Sequence, residues 1–283
     1  MFRVALIFGL AGFGVATALI AYQGFGTVFA ALAAAGVGLL WASLFHVVPM
    51  TINAQGWRIL LAGGRRPSLG YLTWVTWLRE SVNGLLPVAR IGGEVVAVRC
   101  VLRRGPRIGA VVASIVVDMT MGLASQFAYT MIGLALLIRY TGDFATASTI
   151  ALGILVGAPA VVAFMLVQRY GLFSILAKIF RNVFGNRFAT LVGGAERLDR
   201  SVRIVYRRPV RLLLCTLWQF LAYVVAAGEI WLALDFLGHR VSIADAVLID
   251  ALIHAVSSAA FVVPAAIGVQ EGGFMVIGAL LGH

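Results

Sequence analysis

The chain has 283 residues, of which 61% are hydrophobic and 12% charged, and its mean hydropathy is +1.00. Soluble domains carry about 25% charged residues, so a globule of this composition would lack the polar side chains to cover itself. Lys and Arg number 22 against 11 Asp and Glu, and the net charge of +11 is gathered between apolar runs. A soluble fold is excluded, and apolar runs of about 20 residues predict an all-α, polytopic membrane helix bundle. We read residues 1–283 as a single transmembrane domain.

The first apolar run, Val4 to Tyr22, follows Arg3. Ala16-Thr17-Ala18 is similar to a signal-peptide cleavage site, but the run exceeds an h-region of about 7–15 residues, so it reads as a retained span. Its glycines, Gly9, Gly12 and Gly14, suit close helix packing; no strand precedes them and no lysine follows, as a nucleotide loop requires. Val28 to Met50 is the second run, and Ile52 to Leu61, with Trp57 and Arg58, reads as a short interfacial helix. Ile108 to Ile138 then crosses outward, the Arg139–Ala147 loop turns the chain, and Ser148 to Val167 crosses back. Leu212 to Leu237 crosses outward again, and Ile243 to Val263 begins another apolar run.

Nineteen of the 22 basic residues fall in two stretches, Arg58 to Arg107 and Arg169 to Arg211. Two spans separate the stretches, so both lie on one side, which positive-inside orientation makes cytoplasmic. This accounts for the charge better than nucleic-acid binding does. From about 170 to 209 the chain is basic and amphipathic. Leu172, Ile175, Leu176, Ile179, Val183 and Phe184 share one helical face, and Leu191, Ala195, Leu198, Val202 and Val205 continue the spacing. Glu196–Arg200 and Asp199–Arg203 stand at i,i+4. The pattern predicts helices lying on the cytoplasmic leaflet. The six tryptophans read mostly as interface anchors, and Cys100 and Cys215 as small apolar fillers. No metal or cofactor spacing is visible.

Two interruptions carry most of the information. The first runs from Ser81 through Asn83, Pro87, Arg90, Gly92 and Gly93 to Glu94, the second from Ser257 through Pro264 and Gly268 to Glu271. In each, Glu stands seven residues after Pro and an Ile-Gly pair lies between them. Pro removes a backbone donor and Gly loosens the turn, so both helices should break there. The first approach arm, Ser68 to Arg79, starts from the basic side, and the second, from Ile243, starts from the opposite side. Two broken or re-entrant segments in inverted orientation are a pattern of transporters, with the substrate site between them.

Asn83-x-x-x-Pro87-x-x-Arg90-x-Gly92-Gly93-Glu94, with Arg99 beyond it, and Pro264-x-x-Ile267-Gly268-Val269-x-Glu271 resemble the flippase-type transmembrane region of lysylphosphatidylglycerol synthetases. Tyr71 to Arg103 looks most like the members associated with hopanoid biosynthesis. The resemblance covers nearly the whole chain. It implies a multi-pass bacterial inner-membrane protein that moves a polar lipid between leaflets. Second motifs of that family usually read Pro-Gly-Gly-Ile-Gly, whereas Pro264-Ala265-Ala266 stands here, which makes a stiffer turn. Twelve residues follow Glu271, about 18 Å of helix, so the final arm is short relative to the family.

Polar residues at membrane depth supply the remaining candidates. Asp118, with Thr120 and Gln126 near it, and Glu229 lie inside spans, where a carboxylate costs roughly 2.5 kcal/mol or more. Each is read either as a proton-coupling or headgroup contact, or as a hydrogen-bonded carboxyl that joins helices. Asp250, His254, Ser257 and Ser258 form one polar stripe, and Thr73, Thr76, Glu80 and Asn83 another. Arg90 either binds a phosphate with its fork or pairs with Glu94 at i+4. The leading expectation is a flippase-like transporter of a polar or anionic lipid, hopanoid-related by its nearest resemblance, with membrane lipids as its partners. The alternatives are an enzyme that modifies a lipid headgroup, using Asp118 or Asp250 with His254, and a scaffold for other lipid-synthesis membrane proteins.

Overall fold

The computed structural model describes residues 17, 26, 30, 33, 35–61, 66–85, 92–142, 144–174, 189–259 and 268–280. Among them the chain forms ten helices and no strand: α1 Gly38–Phe45, α2 Val47–Leu60, α3 Leu69–Leu85, α4 Gly92–Leu102, α5 Ile108–Thr141, α6 Phe144–Tyr170, α7 Ala189–Tyr206, α8 Pro209–Phe236, α9 Ile243–Ala259 and α10 Val269–Leu280. Helices satisfy their own backbone, which lipid cannot do for them. By length and composition α5 and α8 are each able to cross a membrane. The boundaries follow local chemistry. Gly142 ends α5 in the left-handed region at φ 64°, its N–H bonded to Ile138, and Pro209 opens α8, where no backbone donor is missed.

Each sequence interruption falls between two helices that fold back on one another. Near the open end of the first hairpin, the Tyr71 hydroxyl donates to the Cys100 carbonyl at 2.8 Å. Near its tip, the Gly93 N–H donates to Asn83 Oδ1 at 2.8 Å, so α3 and α4 run antiparallel. In the second hairpin, Gln270 donates to Ser257 at 3.0 Å, and Ile277 packs with Ile249 and Ile253. Gly93 has to be glycine: a Cβ there would strike the Arg79 carbonyl oxygen and come within 2.7 Å of the Asn83 side chain.

α8 packs on α2 and α5; the first hairpin packs on α2 and α5, and the second on α5 and α8. α3, α5 and α8 start at the basic end, where Arg104 covers the Tyr71 ring. α9 starts at the other end and descends antiparallel to α5, meeting Leu136 and Leu137 first and Gln126 near its last turn. The hairpins therefore enter from opposite ends.

Three expectations are corrected. Ile52 to Leu61 is not interfacial; it belongs to α2, where Trp57 is fully buried and donates to Ser114 at 3.0 Å. The apolar face of α7 is covered by protein, because Val202 and Val205 pack with Ala113, Val117 and Cys215 of α5 and α8. Its Asp199 does not pair with Arg203; it is buried and accepts the backbone N–H groups of Phe173 and Ser174 at 3.1 and 2.8 Å. Most of Val4 to Tyr22, and residues 175–188, lie outside the described residues.

Candidate functional site

A cavity of about 800 Å³ lies among the two helix pairs α3–α4 and α9–α10, α2, α5 and α8. Its depth follows from helix arithmetic. Arg79, Asp118 and Gln219 each stand ten residues past the first residue of their helix (69, 108 and 209). Ten residues rise about 15 Å, half of an apolar core about 30 Å thick.

One wall is a buried ionic network. Arg79 Nη1 lies 3.3 Å from Asp118 Oδ2 and 3.8 Å from Glu94 Oε2, while Nη2 donates to Asn53 Oδ1 at 3.4 Å. Asn53 in turn donates to Gln219 Oε1 at 2.7 Å, and Gln219 donates to Asp118 Oδ1 at 2.7 Å. The ring closes through α3, α5, α8 and α2. The guanidinium also stands over the Trp57 indole, 5.7 Å from its centre. Asp118 is 1% exposed, so its charge is tolerable only because Arg79 and Gln219 face it. Glu94 Oε2 is buried without a hydrogen-bond partner.

The opposite wall is aromatic and acidic. Tyr129 donates to Asp250 Oδ2 at 2.9 Å, and His254 Nε2 stands 3.8 Å from Asp250 Oδ1. Tyr223 stacks on Tyr129 with ring centres 5.6 Å apart and meets His254 edge-on at 5.1 Å. Gln126 donates to the His254 carbonyl at 3.2 Å and to the Ser258 hydroxyl. Between the walls, His46 is flanked by two carboxylates, with Nδ1 2.8 Å from Glu229 Oε1 and Nε2 3.4 Å from Glu80 Oε2.

Of the residues singled out in the sequence, Asn83, Glu94, Asp118, Glu229, Asp250 and His254 line this cavity. Gly92 and Gly93 open α4 beside it. Arg99 does not join them; it is exposed on α4 toward the basic end. Glu271 is exposed and accepts the Gly268 N–H at 2.6 Å, so this pair caps α10 at a glycine with φ 81°. The Ser257 hydroxyl accepts from Gln270, joining α9 to α10. Pro87, Arg90 and Pro264 lie outside the described residues. Among the described residues the ionic neighbour of Glu94 is Arg79; both readings of Arg90 lie outside them.

Arg79, His46, Asn53, Gln219, Tyr129 and Tyr223 were missed. Arg79 had a signal available: it shares a helical face with Thr76 and Asn83, both in the polar stripe, at i+3 and i+4 spacing. By its place in the basic stretch it reads as one of the cytoplasmic arginines. His46 and Gln219 are single polar residues in apolar runs, and periodicity does not separate such residues from filler.

A family model for the lysylphosphatidylglycerol synthase TM region matches residues 7–283. No curated protein and no solved structure matches the chain.

Proposed function

The chain belongs to the lysylphosphatidylglycerol synthase transmembrane-region family, and from that membership and the cavity we propose that it carries a polar lipid headgroup between the leaflets of the bacterial inner membrane. It does so without covalent chemistry. The observation that carries this reading is the mid-depth cavity of about 800 Å³ between two hairpins of opposite direction. That volume lies within the range of about 300–1,000 Å³ for small-molecule pockets. Irregular backbone at such depth is tolerated where it borders a cavity, and transporters place their substrate at such breaks.

The lining favours a headgroup rich in hydrogen-bond donors. Glu80, Glu94, Asp118, Glu229 and Asp250 face the cavity, and the one arginine of its lining among the described residues, Arg79, is already held by Asp118 and Glu94. Hydroxyl or ammonium groups would satisfy these oxygens; a bare phosphate would meet repulsion from them. A polyhydroxylated hopanoid and an amine-bearing phospholipid are the two lipids to compare first.

Purified protein in liposomes, with fluorescent lipid analogues and a quencher confined to the outer leaflet, tests the reading. Protein-dependent loss of protection for the donor-rich lipid is expected. Chemically altered lipid in the same vesicles would favour the headgroup-modifying enzyme, and no movement with no product would refute transport.

A further inference from the structure

We propose that His46 is the binding site of a coupling proton, which when bound latches the first hairpin to α8 and when lost frees it. The inference rests on the transport reading above and adds the group that would link lipid movement to a proton gradient.

His46 stands in the turn between α1 and α2. Both ring nitrogens face carboxylate oxygens, Glu229 on α8 at 2.8 Å and Glu80 on α3 at 3.4 Å. A neutral imidazole has one N–H, so it can satisfy one of these oxygens and must turn a lone pair toward the other. The doubly protonated ring donates to both. The arrangement is therefore that of a proton-loaded site. The unequal distances indicate which contact yields first. Glu229 is the firmer partner, and Glu80, carried by the hairpin, is the looser one.

Access separates this group from the Asp118 network. The His46, Glu80 and Glu229 side chains are 48%, 42% and 28% exposed, so cavity water reaches them; the Asp118 side chain is 2% exposed and enclosed by its network. Among the described residues the charged groups around the ring are few. α3 contributes Glu80 and, one residue earlier, Arg79, which is held by Asp118 of α5 and Glu94 of α4; α8 contributes Glu229; α9 contributes Asp250 with His254 across the cavity. A hairpin position that keeps Glu80 on the ring binds the proton, and a position that withdraws Glu80 releases it. By linkage, the proton then favours the latched position to the same degree.

The test uses the full chain in two preparations. In proteoliposomes of phosphatidylethanolamine and phosphatidylglycerol, translocation of a fluorescent lipid is followed under imposed pH gradients for wild type, His46→Gln and Glu229→Gln. One coupled proton shifts the leaflet ratio by up to about tenfold per pH unit. We expect that response in wild type and its loss in both variants, with uncoupled translocation remaining in His46→Gln. In nanodiscs of the same lipids, nitrogen NMR of histidine-labelled protein reads the ring directly, its signal assigned by its absence in His46→Gln. Two ring protons at neutral pH are expected.

A wild type that moves lipid without responding to the gradient overturns the proposal, as does a full response in His46→Gln. If His46→Gln does not fold, Glu229→Gln carries the same decision. A wild type that moves no lipid refutes the transport reading alone. The NMR result then stands by itself, because a singly protonated ring refutes the proton site and a doubly protonated one supports it.

Discussion

The Arg79–Asp118 pair gives the sharpest test of how this bundle is held together. Arg79→Ala removes the one cation that, among the described residues, faces two buried carboxylates, Asp118 at 3.3 Å and Glu94 at 3.8 Å, and leaves Asn53 Oδ1 without its donor. Removing one partner of a buried ion pair costs about 3–5 kcal/mol, because the remaining charge is stranded. Asp118→Asn is milder. The amide keeps an oxygen for Gln219, now 2.7 Å from Asp118 Oδ1, and Arg79 keeps Glu94, so a loss of about 1–3 kcal/mol follows. Joining the two substitutions removes one of the stranded carboxylates. The double variant should therefore be less destabilised than the sum of the singles, with a coupling of about 0.5–3 kcal/mol. Reversible unfolding in mixed detergent, followed by tryptophan fluorescence, measures all three against wild type. Arg79→Ala within about 0.5 kcal/mol of wild type, or strict additivity in the double variant, would refute the network as a stabilising element.

Three further outcomes are expected. Gly93→Ala places a Cβ against the Arg79 carbonyl and 2.7 Å from Asn83, so the first hairpin must splay, at about 1–3 kcal/mol, seen as a lowered unfolding midpoint. Trp57→Ala should cost about 3–5 kcal/mol because the ring is fully buried, whereas Trp41→Ala, at a site 62% exposed, should stay within about 0.5 kcal/mol; equal effects would return Trp57 to the interface. In a background with Cys100 and Cys215 replaced by Ala, Arg104→Cys should be labelled by a membrane-impermeant thiol reagent only from the cytoplasmic side. Arg240→Cys, whose parent side chain is 93% exposed, should be labelled only from the periplasmic side, and the reverse pattern would invert the topology.

The solvent, the helical class and the positions of the two interruptions were legible in the sequence, because each depends on local chemistry. Apolar length sets the spans, proline and glycine set the interruptions, and the basic clusters set one common end. It also pointed to Asp118, Glu229, Asp250 and His254, which line the cavity, since a charged or ionisable group at such depth needs a polar surrounding. Partners were a different matter. Arg79 and Asp118 are 39 residues apart, Asn53 and Gln219 are 166, and His46 and Glu229 are 183, and no periodicity relates such pairs. Which helices adjoin fixes them. α8 lies against α2, so His46 meets Glu229 and Asn53 meets Gln219. Arg79 shows the consequence most clearly: in the sequence it is one more arginine of a basic stretch, and only the packing of α3 beside α2, with α5 completing the site, makes it the buried counter-charge of Asp118.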